Sequence, residues 1–113
     1  MERWEQFEGG IQRAVRFAIE VPIRYRAVGE PGWHSGQSAN ISRSGVLFRS
    51  DDAVWPKTPV ELILRLPLML LGESGAEVVC SGEVVRTTVT AGWPAMIAAT
   101  ITKFRFVRGE AER

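Results

Sequence analysis

The sequence is poor in the side chains that most often build catalytic and metal sites, because it has one cysteine and one histidine among 113 residues. The lone Cys80 cannot form an internal disulfide, and His34 has no second metal ligand or nucleophile near it. There is also no nucleophile–base pair and no phosphate-binding glycine loop before a helix. We therefore predict a protein that is not an enzyme and holds no metal.

Excess charge and long hydrophobic runs are absent as well. The formal net charge is +1, whereas proteins that hold DNA by neutralising phosphates usually carry a strongly basic face, so we expect no DNA binding. The most apolar stretch, Leu62 to Leu71, contains Arg65 and Pro67 and is about half as long as a membrane-spanning helix, so we expect no membrane insertion. The first residues do not resemble a secretion signal. The expected compartment is the cytoplasm.

What the sequence does contain is alternation of apolar and polar residues. Every odd position from Phe17 to Ala27 is apolar or aromatic, which is typical of a half-buried strand. Five further strands are predicted between turns rich in glycine and proline, at residues 33–39, 46–49, 60–66, 77–87 and 96–102. Six short strands without a long helix predict an all-β fold, a six-stranded antiparallel β-barrel, because closure removes exposed strand edges.

The two ends of the chain are predicted to lie outside this barrel. In residues 1–11, Trp4, Phe7 and Ile11 fall at helical spacing, and two glycines come directly before Ile11. This pattern predicts a short helical turn or arm that ends at the glycines. Such a short helix is marginal alone, so we expect it to dock on the barrel or on a second subunit. The barrel domain then spans residues 12–107, and the polar tail at residues 108–113 is predicted to be loose.

A polar corner separates the second and third predicted strands. Its sequence is Asn40-Ile41-Ser42-Arg43-Ser44-Gly45. Asn40 and Ser42 have short polar side chains that bond neighbouring backbone, and Gly45 can take a positive φ without a Cβ penalty. An amide, a hydroxyl and several backbone N–H groups should converge there, which are the groups needed to hold a polar, anionic ligand.

The corner resembles the D/N-x-S-x-x-G motif of PilZ domains, and the resemblance extends from about Gln12 to Phe106. The motif lies between two strands, downstream of an arginine-bearing segment that leads into the first strand, as it does in that family. The resemblance implies a six-stranded β-barrel. It also implies a ligand, because many PilZ domains are receptors for the bacterial second messenger cyclic di-GMP.

The same resemblance implies a second ligand-binding element, an R-x-x-x-R motif just before the first strand. Here Gln12 stands four residues before Arg16, and Arg13 follows one place late. An arginine fork can hold a guanine edge or a phosphate in bidentate fashion, whereas glutamine offers hydrogen bonds without charge. The ligand-binding residues implied by the two motifs are Gln12, Arg13, Arg16, Asn40, Ser42 and Gly45.

The resemblance implies a role for each of these residues. Arg13 and Arg16 would neutralise the phosphodiesters and stack on or bond the guanine bases. Asn40 would pair with a guanine edge, Ser42 would donate its hydroxyl, and Gly45 would let the backbone approach closely. The alternative is a tight turn that satisfies only its own backbone.

The leading interpretation is a cyclic di-GMP receptor that relays the signal to an unknown effector protein or through a changed homodimer. The runner-up is a PilZ-like adaptor that has lost the nucleotide and acts by protein contact in pilus or flagellar control. Gln12 and the apolar residues 66–71 favour this second hypothesis. A small single-stranded nucleic-acid barrel is the third, although three of the four tryptophans lie beside glycine or proline instead of among basic residues.

Overall fold

The structure, a computed structural model, describes residues 5–6, 16–66 and 76–108, which form seven antiparallel β-strands. The strands are β1 (Glu5–Gln6), β2 (Pro22–Ala27), β3 (His34–Ile41), β4 (Gly45–Ser50), β5 (Pro59–Leu66), β6 (Ala76–Thr88) and β7 (Ala95–Arg108). Within these residues there is no helix, and hence none that is long and apolar enough to cross a membrane.

Six of the strands close into the predicted barrel. The order around it is β7-β4-β3-β2-β5-β6, and pairing of β6 with β7 joins the two ends of the sheet. The long strand β7 contacts β4 through residues 95–100 and β1 through Phe104 and Lys103. The prediction of a six-stranded antiparallel barrel is confirmed.

The N-terminal arm differs from a helical turn where the structure describes it. Glu5 pairs with Phe104 and Gln6 with Lys103, so this part of the arm is extended and docked on β7. Docking was expected, but a helical conformation at these two residues was wrong. The rest of residues 1–11 and the tail beyond Arg108 lie outside the described residues.

Alternating side chains from β2 and from β4 to β7 form the buried apolar core, and β3 adds the partly buried Ile41. The inward set on β2 is Ile23 and Tyr25, as the odd-position pattern predicted, and Cys80 on β6 is a small core residue. The remaining buried core residues are Val21, Val46, Phe48, Val60, Leu62, Leu64, Val78, Val84, Ile97, Ala99 and Ile101. Burial of apolar area on this scale is the main force that holds a barrel of this size together.

Glycine at position 82 lies at a bulge between β6 and β7. Ser81 pairs with Lys103 and Gly82 with Ile101, so the extra residue of the bulge is Thr102 in β7. A Cβ atom at position 82 would lie 1.7 Å from the carbonyl oxygen of Thr100. The close approach of β6 and β7 therefore requires glycine.

Two ionisable groups are buried in this core. The Tyr25 hydroxyl is hydrogen-bonded to Ser50 Oγ and donates to the carbonyl oxygen of Asp52 at 3.2 Å. Burial is the main reason that the pKa of Tyr25 lies above its usual value of 10.0. Burial also raises the pKa of the Cys80 thiol from 9.0 to about 12.

These pKa shifts predict loss of stability at high pH. Both groups are neutral in the folded barrel and ionise more readily when the chain is unfolded. Their contribution to the free energy of unfolding is therefore full below pH 9 and is lost as the pH rises toward 12. We expect the free energy of unfolding from urea denaturation to fall by about 1.4 kcal/mol per pH unit from the thiol alone. The variant Cys80→Ala should lose that part of the slope. A free energy that stays constant from pH 8 to pH 11.5 would contradict the prediction.

Candidate functional site

The segment that carries Arg16 runs alongside β3 to the polar corner. Ser38, fully buried on β3, accepts a hydrogen bond from the Val21 N–H at 2.9 Å and donates to the Ile19 carbonyl oxygen at 2.6 Å. Phe17 and Ile41 then exchange both backbone hydrogen bonds, at 2.7 and 2.9 Å, in an antiparallel bridge. The backbone of Arg16 is therefore adjacent to the residues that open the corner.

A bulge in β3 decides where Asn40 points. Ser38 pairs with Phe48, but Asn40 pairs with Leu47, so Ala39 is the extra residue in β3. Leu47 lies between the buried residues Val46 and Phe48 on β4, so its side chain is on the outer face of the sheet. Directly paired residues share a face, so Asn40 is on the outer face as well. The bulge thus moves Asn40 to the outer face, where its amide has no hydrogen-bond partner among the residues that the structure describes.

The corner itself is a turn organised by the Ser42 hydroxyl. Ser42 Oγ accepts hydrogen bonds from the backbone N–H groups of Ser44 at 3.2 Å and Gly45 at 3.1 Å. The Ser42 N–H donates to the Gly45 carbonyl oxygen at 2.8 Å. These three backbone N–H groups are therefore used inside the turn, whereas we expected several to be available for a ligand. The Ser42 hydroxyl itself donates to the Gly45 carbonyl oxygen at 3.3 Å, so recognition is left to the other side chains at the corner.

Gly45 meets a different requirement from the one expected. Positive φ occurs at Gly29 and Gly92 among the described glycines, so Gly45 lies outside the left-handed region and that expectation was wrong. A Cβ atom at position 45 would lie 3.0 Å from the carbonyl oxygen of Ala99. Glycine lets β4 start close against β7, where the Ile101 N–H also donates to the Ser44 carbonyl oxygen at 2.9 Å.

Positive charge collects at the corner. Arg16 and Arg43 are both exposed, and neither has an ion-pair or hydrogen-bond partner among the residues the structure describes. The nearby Glu20 carboxylate is bound by Arg49. Gln12 and Arg13 lie outside the described residues. The structure thus brings Arg16, Asn40, Ser42 and Gly45 together. Arg43 also lies there; it is part of the motif, but we did not include it among the predicted ligand-binding residues.

An apolar cavity of about 500 Å³ lies beside the corner at this end of the barrel. Its polar lining consists of Ser42 and Arg43. The apolar lining residues are Phe17, Ile19, Ile41, Leu64, Leu66, Val78, Cys80, Ile101, Phe104 and Phe106. Leu66 is the one described residue of the apolar stretch 66–71, and the others lie outside the described residues.

The sequence matches the PilZ domain family over residues 11–112. The chain belongs to the PilZ domain family. PilZ is a family of cyclic di-GMP receptors, and its domains are generally binding or adaptor domains instead of enzymes. No curated protein matches the sequence.

Two solved structures resemble this PilZ domain in fold. The inhibitor of motility from Bacillus subtilis (MotI/DgrA) aligns with a TM-score of 0.65 and 20% identity, over 80% of this chain and 43% of that one. This chain therefore spans less than half of that protein. The PilZ domain of CeSA from a cellulose-synthesizing bacterium aligns with a TM-score of 0.51 and 17% identity, over 75% of this chain and 80% of that one.

The other candidate residues of this PilZ domain lie away from the corner. His34 is half-exposed, stacks on Tyr25 with ring centroids 5.3 Å apart, and contacts the exposed Asp52 carboxylate at 3.1 Å. Asp51 is exposed in the loop after β4. Residues 5–6, 16–66 and 76–108 contain no group of histidine, cysteine and carboxylate side chains that could hold a metal ion.

Sequence reasoning missed two residues that build the site. Ser38 looked like an ordinary strand residue, although it falls in the inward phase of β3, where a hydroxyl needs a partner. Ala39 gives no signal as a bulge, because the extra residue is visible only when β3 is paired with β4. Both act by positioning: Ser38 holds the segment before β2, and the Ala39 bulge turns Asn40 outward.

Proposed function

We propose that this PilZ domain is a receptor that binds cyclic di-GMP between the segment preceding β2 and the corner Asn40–Gly45. The observation that carries the proposal is the bridge between Phe17 and Ile41, because it sets the backbone of Arg16 beside the corner. Membership of a cyclic di-GMP receptor family supports the choice of ligand.

The side chains at the corner suit a guanine nucleotide with two phosphodiesters. Arg16 and Arg43 supply positive charge that no described residue neutralises, and an arginine fork binds phosphate or a guanine edge in bidentate fashion. The outward Asn40 amide carries a donor and an acceptor for a base edge. The Ser42 hydroxyl donates to the Gly45 carbonyl oxygen and would rotate away from it to donate to the ligand. Gln12 and Arg13, which lie outside the described residues, would complete the contacts.

The proposed output is a protein contact. Binding of the dinucleotide changes the surface at this end of the barrel, and an effector protein or a second copy of the chain recognises that change. We propose that this takes place in the cytoplasm of a bacterium, since cyclic di-GMP is a bacterial second messenger.

Isothermal titration calorimetry of the whole chain with cyclic di-GMP tests the proposal. We expect saturable binding with a micromolar or tighter dissociation constant, and weaker binding at higher salt because charged groups contact the phosphates. GMP at the same concentration is the control, since it presents one phosphate and one base. The absence of heat up to millimolar cyclic di-GMP would remove the proposal.

A second candidate function is an adaptor that no longer binds the nucleotide and acts by protein contact in pilus or flagellar control. Two observations favour it: Gln12 replaces the first motif arginine, and the corner uses its own backbone N–H groups. A pull-down whose partners do not change when cyclic di-GMP is added would support the adaptor.

A further inference from the structure

The apolar cavity beside the corner is not used by the proposed nucleotide site, because its walls offer a dinucleotide almost no polar groups. Its volume of about 500 Å³ lies in the range of small-molecule binding sites. Ser42 and Arg43 are the polar residues among those that line it, and the other described lining residues are aliphatic, aromatic or cysteine. A cavity with this lining accepts a hydrocarbon group at lower cost than a polar one.

One wall of the cavity is a row of cross-strand pairs on β5, β6 and β7. Val78 pairs with Leu64 on one side and with Phe106 on the other. Further into the barrel, Cys80 pairs with Phe104. Directly paired residues share a face of the sheet, so these side chains form one continuous apolar surface. The pairing of the strands therefore fixes this wall without a ligand.

The second wall comes from the segment before β2 and from the end of β3. It consists of Phe17, Ile19 and Ile41. Phe17 and Ile41 exchange both backbone hydrogen bonds, and the Ile19 carbonyl oxygen accepts a hydrogen bond from Ser38 Oγ at 2.6 Å. Both walls are thus held by hydrogen bonds of the fold, so little conformational freedom is lost when a ligand enters.

The cavity has a buried floor and an exposed rim. Leu64, Cys80 and Ile101 are at most 4% exposed, whereas Phe17 and Phe106 are 49% and 46% exposed. Burial of apolar surface stabilises a complex in proportion to the area removed from water. A hydrocarbon chain that enters end-on would fill the space above the floor and cover both phenylalanines.

The charge around the mouth of the cavity is positive. The elements that line it, residues 16–20, 41–44, 64–66, 76–80 and 101–107, carry more cations than acids. The cations are Arg16, Arg43, Arg65, Lys103 and Arg105, and the acids are Glu20 and Glu77. Each acid is bound by an arginine, Glu20 by Arg49 and Glu77 by Arg65.

Arg43 is the charged residue that lines the cavity itself. It is exposed, and its guanidinium has no ion-pair or hydrogen-bond partner among the residues that the structure describes. A cation at the mouth of an apolar cavity favours a ligand whose apolar part ends in an anionic group.

We propose that this cavity binds a single-chain amphiphile with an anionic head group, the chemical class of free fatty acids and alkyl phosphates. The hydrocarbon chain lies between the two walls, and the head group contacts the Arg43 guanidinium, which can donate two hydrogen bonds to a carboxylate or a phosphate. The inference goes beyond the proposed function and does not rest on it, because a cyclic dinucleotide has no hydrocarbon chain to place in the cavity.

Isothermal titration calorimetry of the whole chain with decanoate, without nucleotide, tests the proposal. We expect one ligand per chain and a micromolar dissociation constant, at concentrations below those at which decanoate forms micelles. Each methylene removed from the ligand should weaken binding about fourfold, because less apolar area leaves water. Decyl phosphate, titrated in the same way, distinguishes the two head groups, and the tighter ligand identifies the one that Arg43 recognises.

Val78→Phe is the variant that fills the cavity. Its ring would occupy the space beside Phe106, so decanoate should bind about tenfold more weakly or not at all. The matched control is Val85→Phe on the same strand, because Val85 is 51% exposed and does not line the cavity. The control should change the affinity less than twofold. Circular dichroism checks that both variants keep the fold.

Arg43→Gln tests the head group without altering a buried residue. It should weaken the binding of decanoate about fivefold or more, and leave the affinity for the uncharged 1-decanol within twofold of the wild type. The matched control is Arg24→Gln, on the outer face of β2 beside Trp33, which should change neither affinity.

Four results would overturn the proposal. They are no saturable binding of either decanoate or decyl phosphate, an affinity that does not depend on chain length, equal losses in Val78→Phe and Val85→Phe, and equal losses of decanoate and 1-decanol in Arg43→Gln. The first result would assign the cavity to protein side chains, of this chain or of a partner, instead of a small amphiphile.

Discussion

Arg16→Ala is expected to weaken the binding of cyclic di-GMP about a hundredfold. The backbone of Arg16 lies beside the corner, and its side chain has no ion-pair partner among the described residues, so its guanidinium fork is available for two charge-assisted hydrogen bonds to the ligand. At about 1.5 kcal/mol for each bond, their loss corresponds to roughly two decades in the dissociation constant. Calorimetry under the conditions used for the wild type measures the change.

The matched control for this variant is Arg24→Ala. Arg24 is also an exposed arginine near the start of the barrel, but its guanidinium lies 5.9 Å from the Trp33 ring, on the outer face of β2. Its removal should change the affinity less than twofold. Equal losses in the two variants would show that net charge, and not the position of Arg16, controls binding.

Gly82→Ala is expected to cost at least about 3 kcal/mol of the free energy of unfolding. The added methyl would lie 1.7 Å from the Thr100 carbonyl oxygen and 2.7 Å from its carbonyl carbon, so β6 and β7 must separate at the point where the barrel closes. Backbone atoms cannot move aside as the end of a flexible side chain can, and the cost exceeds that of ordinary overpacking. Urea denaturation followed by circular dichroism measures it.

Gly32→Ala is the control for the glycine substitution. Nothing lies within 4 Å of a Cβ atom at position 32, in the turn before β3, and its φ is not positive. Its free energy of unfolding should stay within about 0.5 kcal/mol of the wild type. If Gly82→Ala and Gly32→Ala unfold at the same urea concentration, β6 and β7 do not approach each other as closely as described.

Local sequence pattern was enough to predict the barrel and the position of its corner. Alternation identified Ile23 and Tyr25 as inward residues, and the polar segment Asn40–Gly45 marked the corner between two strands. These features depend on a few neighbouring residues, and the physical rules that connect them to structure act over the same short distance.

Features that depend on pairing between distant segments could not be predicted. The Ala39 bulge exists because β3 pairs with β4 in a shifted register, and without it Asn40 would point inward. Likewise, glycine is needed at position 45 because the backbone there lies close to the carbonyl oxygen of Ala99, more than fifty residues later in the sequence. Its own φ does not require glycine. The motif therefore predicted where the corner lies in the fold, but the structural reasons for individual residues had to come from the fold, and the ligand site stays a prediction.

A titration of the ¹⁵N-labelled chain with cyclic di-GMP, followed by two-dimensional NMR, tests the binding site most directly. We predict that the amide signals of Phe17, Asn40, Ser42 and Arg43 shift and saturate, while those of Trp55 and Trp93 at the opposite end do not respond. Shifts confined to the Trp55 end, or no shifts at millimolar ligand, would contradict a nucleotide site formed by Arg16 and the corner.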